Sequence, residues 1–347
     1  MRILFISLGC DKNLVDSEEM LYLLREKGYE ITDDEENADI IVVNTCCFIH
    51  DAKEESIDTI LEMGKYRLSG KVKALIVTGC LAQRYREEIL KEIPEVDAVL
   101  GTASYDDILE AVEKTLKGEK YLSFRPTDRL VDTGGGRIIT TGGAYEYLRI
   151  AEGCAKHCTY CVIPKVRGGY RSIPMERLLD TARQMVGEGV KELIVIAQET
   201  TLYGTDLYGK KSLHILLEKL CRIEGLVWIR LLYCYPEEIY PELVDTIARE
   251  PKICHYLDLP IQHCSDSILK RMGRKTTKAD LERIITEIRE RIPDMVIRTT
   301  LITGFPGETK EDHEELMQFV ADMAFDRLGV FTYSPEEDTP AAAMENQ

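Results

Sequence analysis

The 347-residue chain contains no run of about 18 apolar residues, the length a bilayer-crossing helix needs, and its opening RILFISL is too short for a convincing secretion signal. A soluble cytoplasmic protein with no membrane partner is expected. Cysteine is too sparse for a disulfide scaffold, because eleven thiols are spread unevenly and an odd number leaves one unpaired. Reduced thiols fit a reducing compartment. Basic charge is also short: 44 Lys plus Arg stand against 61 Asp plus Glu, a formal net charge of −17. That sign opposes long-range attraction to a nucleic-acid backbone and favours a basic or neutral partner, although a local patch at Lys165, Arg167 and Arg171 leaves RNA contact open. No sustained heptad pattern marks a partner helix, so a monomer is expected. The GGG run at 134–136 lacks the strand-to-helix setting and following Lys of a phosphate loop, and reads as a turn or flexible link.

What the sequence does hold is cysteine in two patterns. Cys154, Cys158 and Cys161 lie in EGCAKHCTYCVIP with the spacing C-x3-C-x2-C. Structural zinc sites usually open on a C-x2-4-C pair and draw a second pair from further along, yet no Cys or His completes a quartet within the fifty residues after Cys161. His157, squeezed between two of the cysteines, reads as an exposed loop residue. Three ligands leave a coordination position open to a cofactor or substrate, which favours an iron–sulfur cluster over zinc or inert thiols.

Cys10, Cys46 and Cys80 each follow a hydrophobic strand-like run, at separations of 36 and 34 residues that match one strand–helix unit. Ligands of an open parallel sheet bind at the carboxyl ends of its strands, so these sulfurs can converge as a second three-thiolate site. Three unrelated buried thiols are the alternative. Cys47 competes with its neighbour, and Cys46 is preferred because NTC, SLGC and VTGC place a cysteine at the same offset from the preceding strand.

The periodicity predicts an α/β protein: an N-terminal three-layer parallel-sheet domain over 1–117, a linker over 118–144 with a short strand at Arg137–Thr141, an open six-stranded (β/α)6 partial TIM barrel over 145–340, and a tail at 341–347. Asp16 with Glu19 reads as a capping box opening the first helix, and Gly28 as its stop. Cys154, Cys158 and Cys161 follow the first barrel strand, at the face where loops from different strands meet.

These residues resemble the radical S-adenosylmethionine superfamily, and the preceding three-cysteine domain resembles its methylthiotransferase branch. SLGCDKNLVDSE, AEGCAKHCTYCVIPKVRGGYRS, YLDLPIQHCSDSILKRMGR, LITGFPGETKEDHEEL and DRLGVFTYSPEEDTPAA carry the likeness across nearly the whole chain. The resemblance implies two 4Fe–4S clusters, one on Cys154, Cys158 and Cys161 and one on Cys10, Cys46 and Cys80, together with S-adenosylmethionine. It implies an enzyme that removes a hydrogen from the β-carbon of an aspartate in the twelfth protein of the small ribosomal subunit, inserts sulfur and adds methyl. Further partners are then a reductant and a sulfur donor. Methylthiolation of a transfer-RNA adenosine is the alternative, and a non-catalytic iron–sulfur electron-transfer or binding protein a further one. The family usually carries a C-terminal TRAM module, and the expectation for this chain is that the module is absent.

Other positions follow from the same likeness and from their places in the pattern. Tyr160 lines the adenine pocket or packs the loop shut. Gln198 and Glu199, ending the second barrel strand, bind the cofactor's amino group or form surface hydrogen bonds. Arg298, in VIRTTLI, clamps the cofactor carboxylate or forms an ordinary ion pair. Gly304, with Pro306 and Gly307, turns the chain near the cofactor or makes a plain strand-to-helix turn. Gln262 and His263 are substrate-facing candidates, with no general-base role given to His263. Cys221, Cys234, Cys254 and Cys264 are spare thiols for which burial is the plain expectation.

Overall fold

Two parallel sheets organise the 347 residues described by the computed structural model. In the first, strands β1 (Arg2–Ser7), β2 (Glu30–Thr32), β3 (Ile40–Thr45), β4 (Ala74–Gly79), β5 (Ala98–Leu100) and β6 (Tyr121–Ser123) stand in the order β2-β1-β3-β4-β5-β6. Every residue of IIVVNT in β3 and ALIVTG in β4 is buried, as central strands covered on both faces require. Ile3, Ile40, Val42 and Ile76 pack with Met20 and Leu24 of the helix Asp11–Glu26 and with Ile108 and Val112 of the helix Ile108–Leu116. Each such side chain contributes roughly 1.5–3 kcal/mol of apolar burial.

Several local expectations are corrected. The first helix starts at Asp11, with Cys10 at its N-cap, so Asp16 and Glu19 lie inside it and form no capping box. Gly28 does end it, at φ +86°, with its N–H donating to the Arg25 carbonyl at 2.9 Å. Tyr121–Ser123, within the stretch read as linker, adds the sixth strand. Arg137–Thr141 is not a strand, because its polar groups are taken by Glu18 instead. The Glu18 carboxylate accepts from the Thr140 N–H at 2.7 Å and hydroxyl at 2.6 Å and pairs with Arg137, while the Glu18 carbonyl accepts from the Ile138 N–H at 3.2 Å.

In the second sheet, β7 (Tyr145–Arg149), β10 (Glu192–Ile196), β11 (Trp228–Leu231), β12 (Ile253–Asp258), β13 (Val296–Thr303) and β14 (Arg327–Thr332) run parallel in the order β14-β13-β12-β11-β10-β7. This is the open six-stranded arrangement the alternation predicts. A two-stranded antiparallel ribbon, β8 (Ala151–Glu152) with β9 (Arg171–Ser172), brackets the loop that carries Cys154, Cys158 and Cys161. The edge strand β14 leaves Leu328, Val330 and Phe331 exposed. Pro340–Ala343 is a 3-10 turn rather than a loose tail, and Ala341 is fully buried against Ile268, Met272 and Phe305.

Contacts divide the chain into two units, Met1–Thr140 with Ile163–Gly169 and Thr141–Val162 with Tyr170–Gln347. The short helix Ile163–Arg167 therefore belongs to the first unit, although it follows the C-x3-C-x2-C loop in sequence. No helix is long and apolar enough to cross a membrane.

Candidate functional site

The carboxyl ends of β1, β3 and β4 each deliver a cysteine to the same edge of the first sheet. Cys10 is exposed, whereas Cys46 and Cys80 are 8% and 7% exposed. Asn13, one helical turn beyond Cys10, joins the three strand ends: its Nδ2 donates to the Leu8 carbonyl at 3.0 Å and the Thr45 carbonyl at 2.9 Å, and its Oδ1 lies 3.7 Å from the Cys80 sulfur. The same Oδ1 accepts from Arg167, whose other Nη donates to Asp16 Oδ2 at 2.7 Å. Gly9, at φ +90°, sits so close to Cys46 that an added Cβ would stand 2.8 Å from the cysteine Cβ and 3.0 Å from its sulfur. Burial raises the Cys46 thiol above its ordinary pKa and the Cys80 thiol further, with the nearby Arg167 cation acting in the opposite direction. Cys47 is fully buried.

Arg167 is itself 3% exposed and engaged within the first unit. The basic patch read as Lys165, Arg167 and Arg171 thus loses its central charge, because a buried, paired guanidinium presents nothing to a phosphate.

In the second unit, Cys154 and Cys158 are buried and Cys161 is half-buried. The Cys154 sulfur accepts from the Lys156 N–H at 3.4 Å, and the Cys158 sulfur lies 3.9 Å from the Tyr235 hydroxyl. Burial pushes the Cys154 thiol up to about 11. The loop is pinned at its centre: the Thr159 N–H donates to the Met272 carbonyl at 2.9 Å, its hydroxyl to the Arg271 carbonyl at 2.8 Å, and its own carbonyl accepts from Ala341 at 2.9 Å. His157 is exposed, as expected. Tyr160 packs edge-on to Phe305 at 6.3 Å between centroids, which is the loop-packing reading of that residue.

Glu199 is 1% exposed, and desolvation raises its carboxyl to about 7. Its Oε1 accepts from the Thr201 N–H at 2.8 Å and from the Thr201 hydroxyl, while Oε2 is buried with no partner. Gln198 donates to Glu152 at 2.7 Å and leaves its own Oε1 buried and unmet. Neither residue is a surface hydrogen-bonding group. A buried acceptor without a partner suits a donor brought by a ligand, such as an ammonium group. Arg298 pairs with the nearly buried Asp258 through Nη1 at 2.6 Å, so the ion-pair reading of that residue is present. Gly304 has φ +73° and open space where a Cβ would stand; Gly307, at φ +84°, lies over the Arg271 guanidinium.

The two substrate-facing candidates differ in their surroundings. Gln262 is half-buried and holds a left-handed backbone, φ +72°, where β12 gives way to a bridge with Leu301. The His263 ring is fully buried, Nδ1 accepts from the Ser265 N–H at 3.0 Å, and desolvation lowers its pKa. Cys221, Cys234 and Cys264 are buried and Cys254 half-buried. Asn13, Tyr235 and Arg274 are site residues that the sequence motifs did not mark. Asn13 had a local signal, since it stands in SLGCDKN, but the other two meet the cysteine loop only through tertiary packing.

No three Cys, His, Asp or Glu side chains converge on a single-ion site. A cluster distributes its thiolates over different irons instead of drawing them onto one ion. The donor sets fit thiolate-held clusters, and the orphaned Glu199 and Gln198 oxygens fit a cofactor with a free amino group.

Comparison with known proteins agrees. Residues 148–320 match the radical SAM superfamily model, and residues 2–101 match one described as an uncharacterized protein family, UPF0004. Among solved structures, the radical S-adenosylmethionine methyltransferase TsrM of Kitasatospora setae shares the fold, with TM-score 0.67 and 14% identity over 98% of this chain and 76% of that one. The cobalamin-dependent radical enzyme OxsB does so at TM-score 0.64 and 13% identity over 98% of this chain and 54% of that one. The ribosomal protein uS12 methylthiotransferase RimO of Lachnoclostridium phytofermentans is 66% identical over the full chain and 79% of its own length. The RimO of Clostridium tetani is 53% identical over 99% of this chain and 77% of its own. At that identity and coverage, the chain belongs to the RimO family of radical S-adenosylmethionine methylthiotransferases.

Proposed function

We propose that the chain methylthiolates the β-carbon of an aspartate in ribosomal protein uS12, using a 4Fe–4S cluster and S-adenosylmethionine at Cys154, Cys158 and Cys161 and a second 4Fe–4S cluster at Cys10, Cys46 and Cys80. The observation that carries the reading is that Cys10, Cys46 and Cys80 lie at the carboxyl ends of three neighbouring parallel strands of the first sheet, while Cys154, Cys158 and Cys161 lie in one loop after the first strand of the second. When bound there, the reduced cluster and S-adenosylmethionine supply a carbon-centred radical able to take an unactivated hydrogen, chemistry beyond the reach of any side chain.

The residues of the chain bind, orient and exclude water. The reading gives the cofactor's amino group to Glu199 Oε2 and Gln198 Oε1, supported by each being buried without a partner. Gly304, free of a side chain and in a left-handed conformation, lets the backbone approach a ligand closely. Arg298 spends one Nη on Asp258 and keeps further N–H donors for a carboxylate. Behind the loop, Ile268, Met272, Phe305 and Ala341 form an apolar wall with Tyr160, which keeps water from that side. In the first unit, Asn13 and Gly9 fix the spacing of the strand ends that carry Cys46 and Cys80.

The test is iron and acid-labile sulfide per chain after anaerobic reconstitution, in the parent and in a Cys154, Cys158, Cys161 triple-alanine variant. About eight irons falling to about four is expected; about four falling to none removes the first-unit cluster. Substrate class is then settled by mass gain on uS12 and on transfer RNA under the same anaerobic conditions, with uS12 the expected acceptor. The protein's formal charge of −17 and the burial of Arg167 both favour the basic protein over the nucleic acid.

A further inference from the structure

Arg274, just beyond the helix Asp266–Arg271, is a buried cation with unmet donors. Its side chain is 1% exposed. Nη2 donates to the Pro260 carbonyl at 2.9 Å, but Nε and Nη1 meet no acceptor. The nearest carboxylate, Glu237, stands 3.9 Å from Nη2 through an oxygen that itself has no hydrogen-bond partner, while its other oxygen lies 3.4 Å from Lys156. Burying a guanidinium with two of its donors unmet is unfavourable. Packing alone does not call for an arginine here, since an apolar side chain would fill the space without that penalty.

The surroundings point to the missing counter-charge. The guanidinium lies over the Tyr235 ring at 4.4 Å from its centroid, and the hydroxyl of that ring is 3.9 Å from the Cys158 sulfur. Arg274 interacts electrostatically with Cys158 and with Tyr160, between the second and third cysteines. The residues just before it are clamped to the same loop. Met272 and Arg271 accept from Thr159, and Gly273, at φ +73°, sits so close that an added Cβ would stand 3.1 Å from the His157 carbonyl oxygen.

We propose that Arg274 is a positioning residue for the cluster held by Cys154, Cys158 and Cys161: it holds Tyr235 against the Cys158 sulfur and places a positive charge, paired only at 3.9 Å with Glu237, beside the cluster, raising its reduction potential. The inference rests on the reading that these cysteines hold a 4Fe–4S cluster. A cluster on three thiolates is anionic, and one-electron reduction adds a further negative charge, so a fixed cation stabilises the reduced state more than the oxidised one. Tyr235 is the platform: a cation over its ring face polarises a hydroxyl directed at the sulfur.

The experiment uses the full chain with Cys10, Cys46 and Cys80 replaced by alanine, so that one cluster reports. The midpoint potential is read by a redox titration followed by electron paramagnetic resonance, without S-adenosylmethionine and without any activity assay. Arg274→Gln is expected to lower the reduced-to-oxidised ratio of the cluster about tenfold at a fixed poise near the midpoint, a fall of about 59 mV for one electron. Arg274→Lys, which keeps the charge, should hold the reduced-to-oxidised ratio within about threefold of the parent. Glu237→Gln, which removes the neighbouring negative charge, should move the potential upward, and it carries the test if Arg274→Gln fails to retain iron. An iron-replete Arg274→Gln protein at the parental potential, equal shifts for Gln and Lys, or an unmoved Glu237→Gln protein overturns the role of Arg274. A parent that binds no iron overturns the cluster reading and this inference with it.

Discussion

Arg167 donates to Asp16 at 2.7 Å with both side chains only 3% exposed, an ion pair formed across 151 residues of sequence. Breaking a buried pair leaves an uncompensated charge, a cost of about 3–5 kcal/mol. Arg167→Met should lower the stability of the apoprotein by that amount in urea unfolding. The Asp16→Asn, Arg167→Met double variant should recover much of the loss, because no lone ion remains. Additive losses in the double-mutant cycle would show that the pair is not coupled.

Gly9 makes room for Cys46. At φ +90°, and with any added side-chain carbon falling 2.8 Å from the Cys46 Cβ, Gly9→Ala must displace the cysteine or strain the turn. Iron per chain is expected to fall from about eight to about four, with the C-x3-C-x2-C cluster retained. Full iron content in the variant would sink the proposed role of Cys46.

Glu199 gives the apoprotein a pH dependence. Its carboxyl is raised from 4.5 to about 7 by desolvation, so between those values the folded state keeps a proton that the unfolded state has released. Its contribution is complete below the unfolded value and fades as pH rises through the folded value, by about 3 kcal/mol in all. Glu199→Gln should flatten this slope in denaturation curves measured from about pH 4 to about pH 8, a window that spans both values. In the proposed cofactor role, the same substitution should also weaken S-adenosylmethionine binding, most clearly above pH 7, where the carboxylate is ionised in the parent.

Glu18 anchors the Gly-rich segment. Fully buried, it serves Arg137 and Thr140 together. Glu18→Ala should therefore release residues 133–143 and speed limited proteolysis there several-fold, while Glu19→Ala, one residue along the same helix, should leave cleavage in that stretch near the parental rate. Equal rates in the parent and Glu18→Ala would mean that the segment is held by other contacts.

The strands were legible wherever hydrophobic runs were long, as in IIVVNT and ALIVTG, because burial on both faces leaves a continuous apolar signature. The three-residue strands Glu30–Thr32 and Tyr121–Ser123 are edge strands with half-exposed or exposed residues, and they carry no such signal. Asp16 and Glu19 imitated a capping box because the sequence pattern cannot show that the helix had already begun at Asp11. The cysteine spacings exposed both candidate sites, yet Arg167 read as surface charge and Arg274 carried no signal. Their meaning depends on partners at distant sequence positions, Asp16 and Asn13 for one and Tyr235 and Pro260 for the other.

The membership of Ile163–Gly169 in the first unit also has a consequence for synthesis. A nascent chain that has emerged as far as Thr140 carries every strand of the first sheet but not the guanidinium that neutralises Asp16. That unit reaches its final state only after Cys154, Cys158 and Cys161 have also been translated, so its completion waits on the arrival of the second cysteine set. The two halves are consequently not interchangeable cassettes: a gene fusion cut once between them would strand Asp16 on one side of the junction and Arg167 on the other.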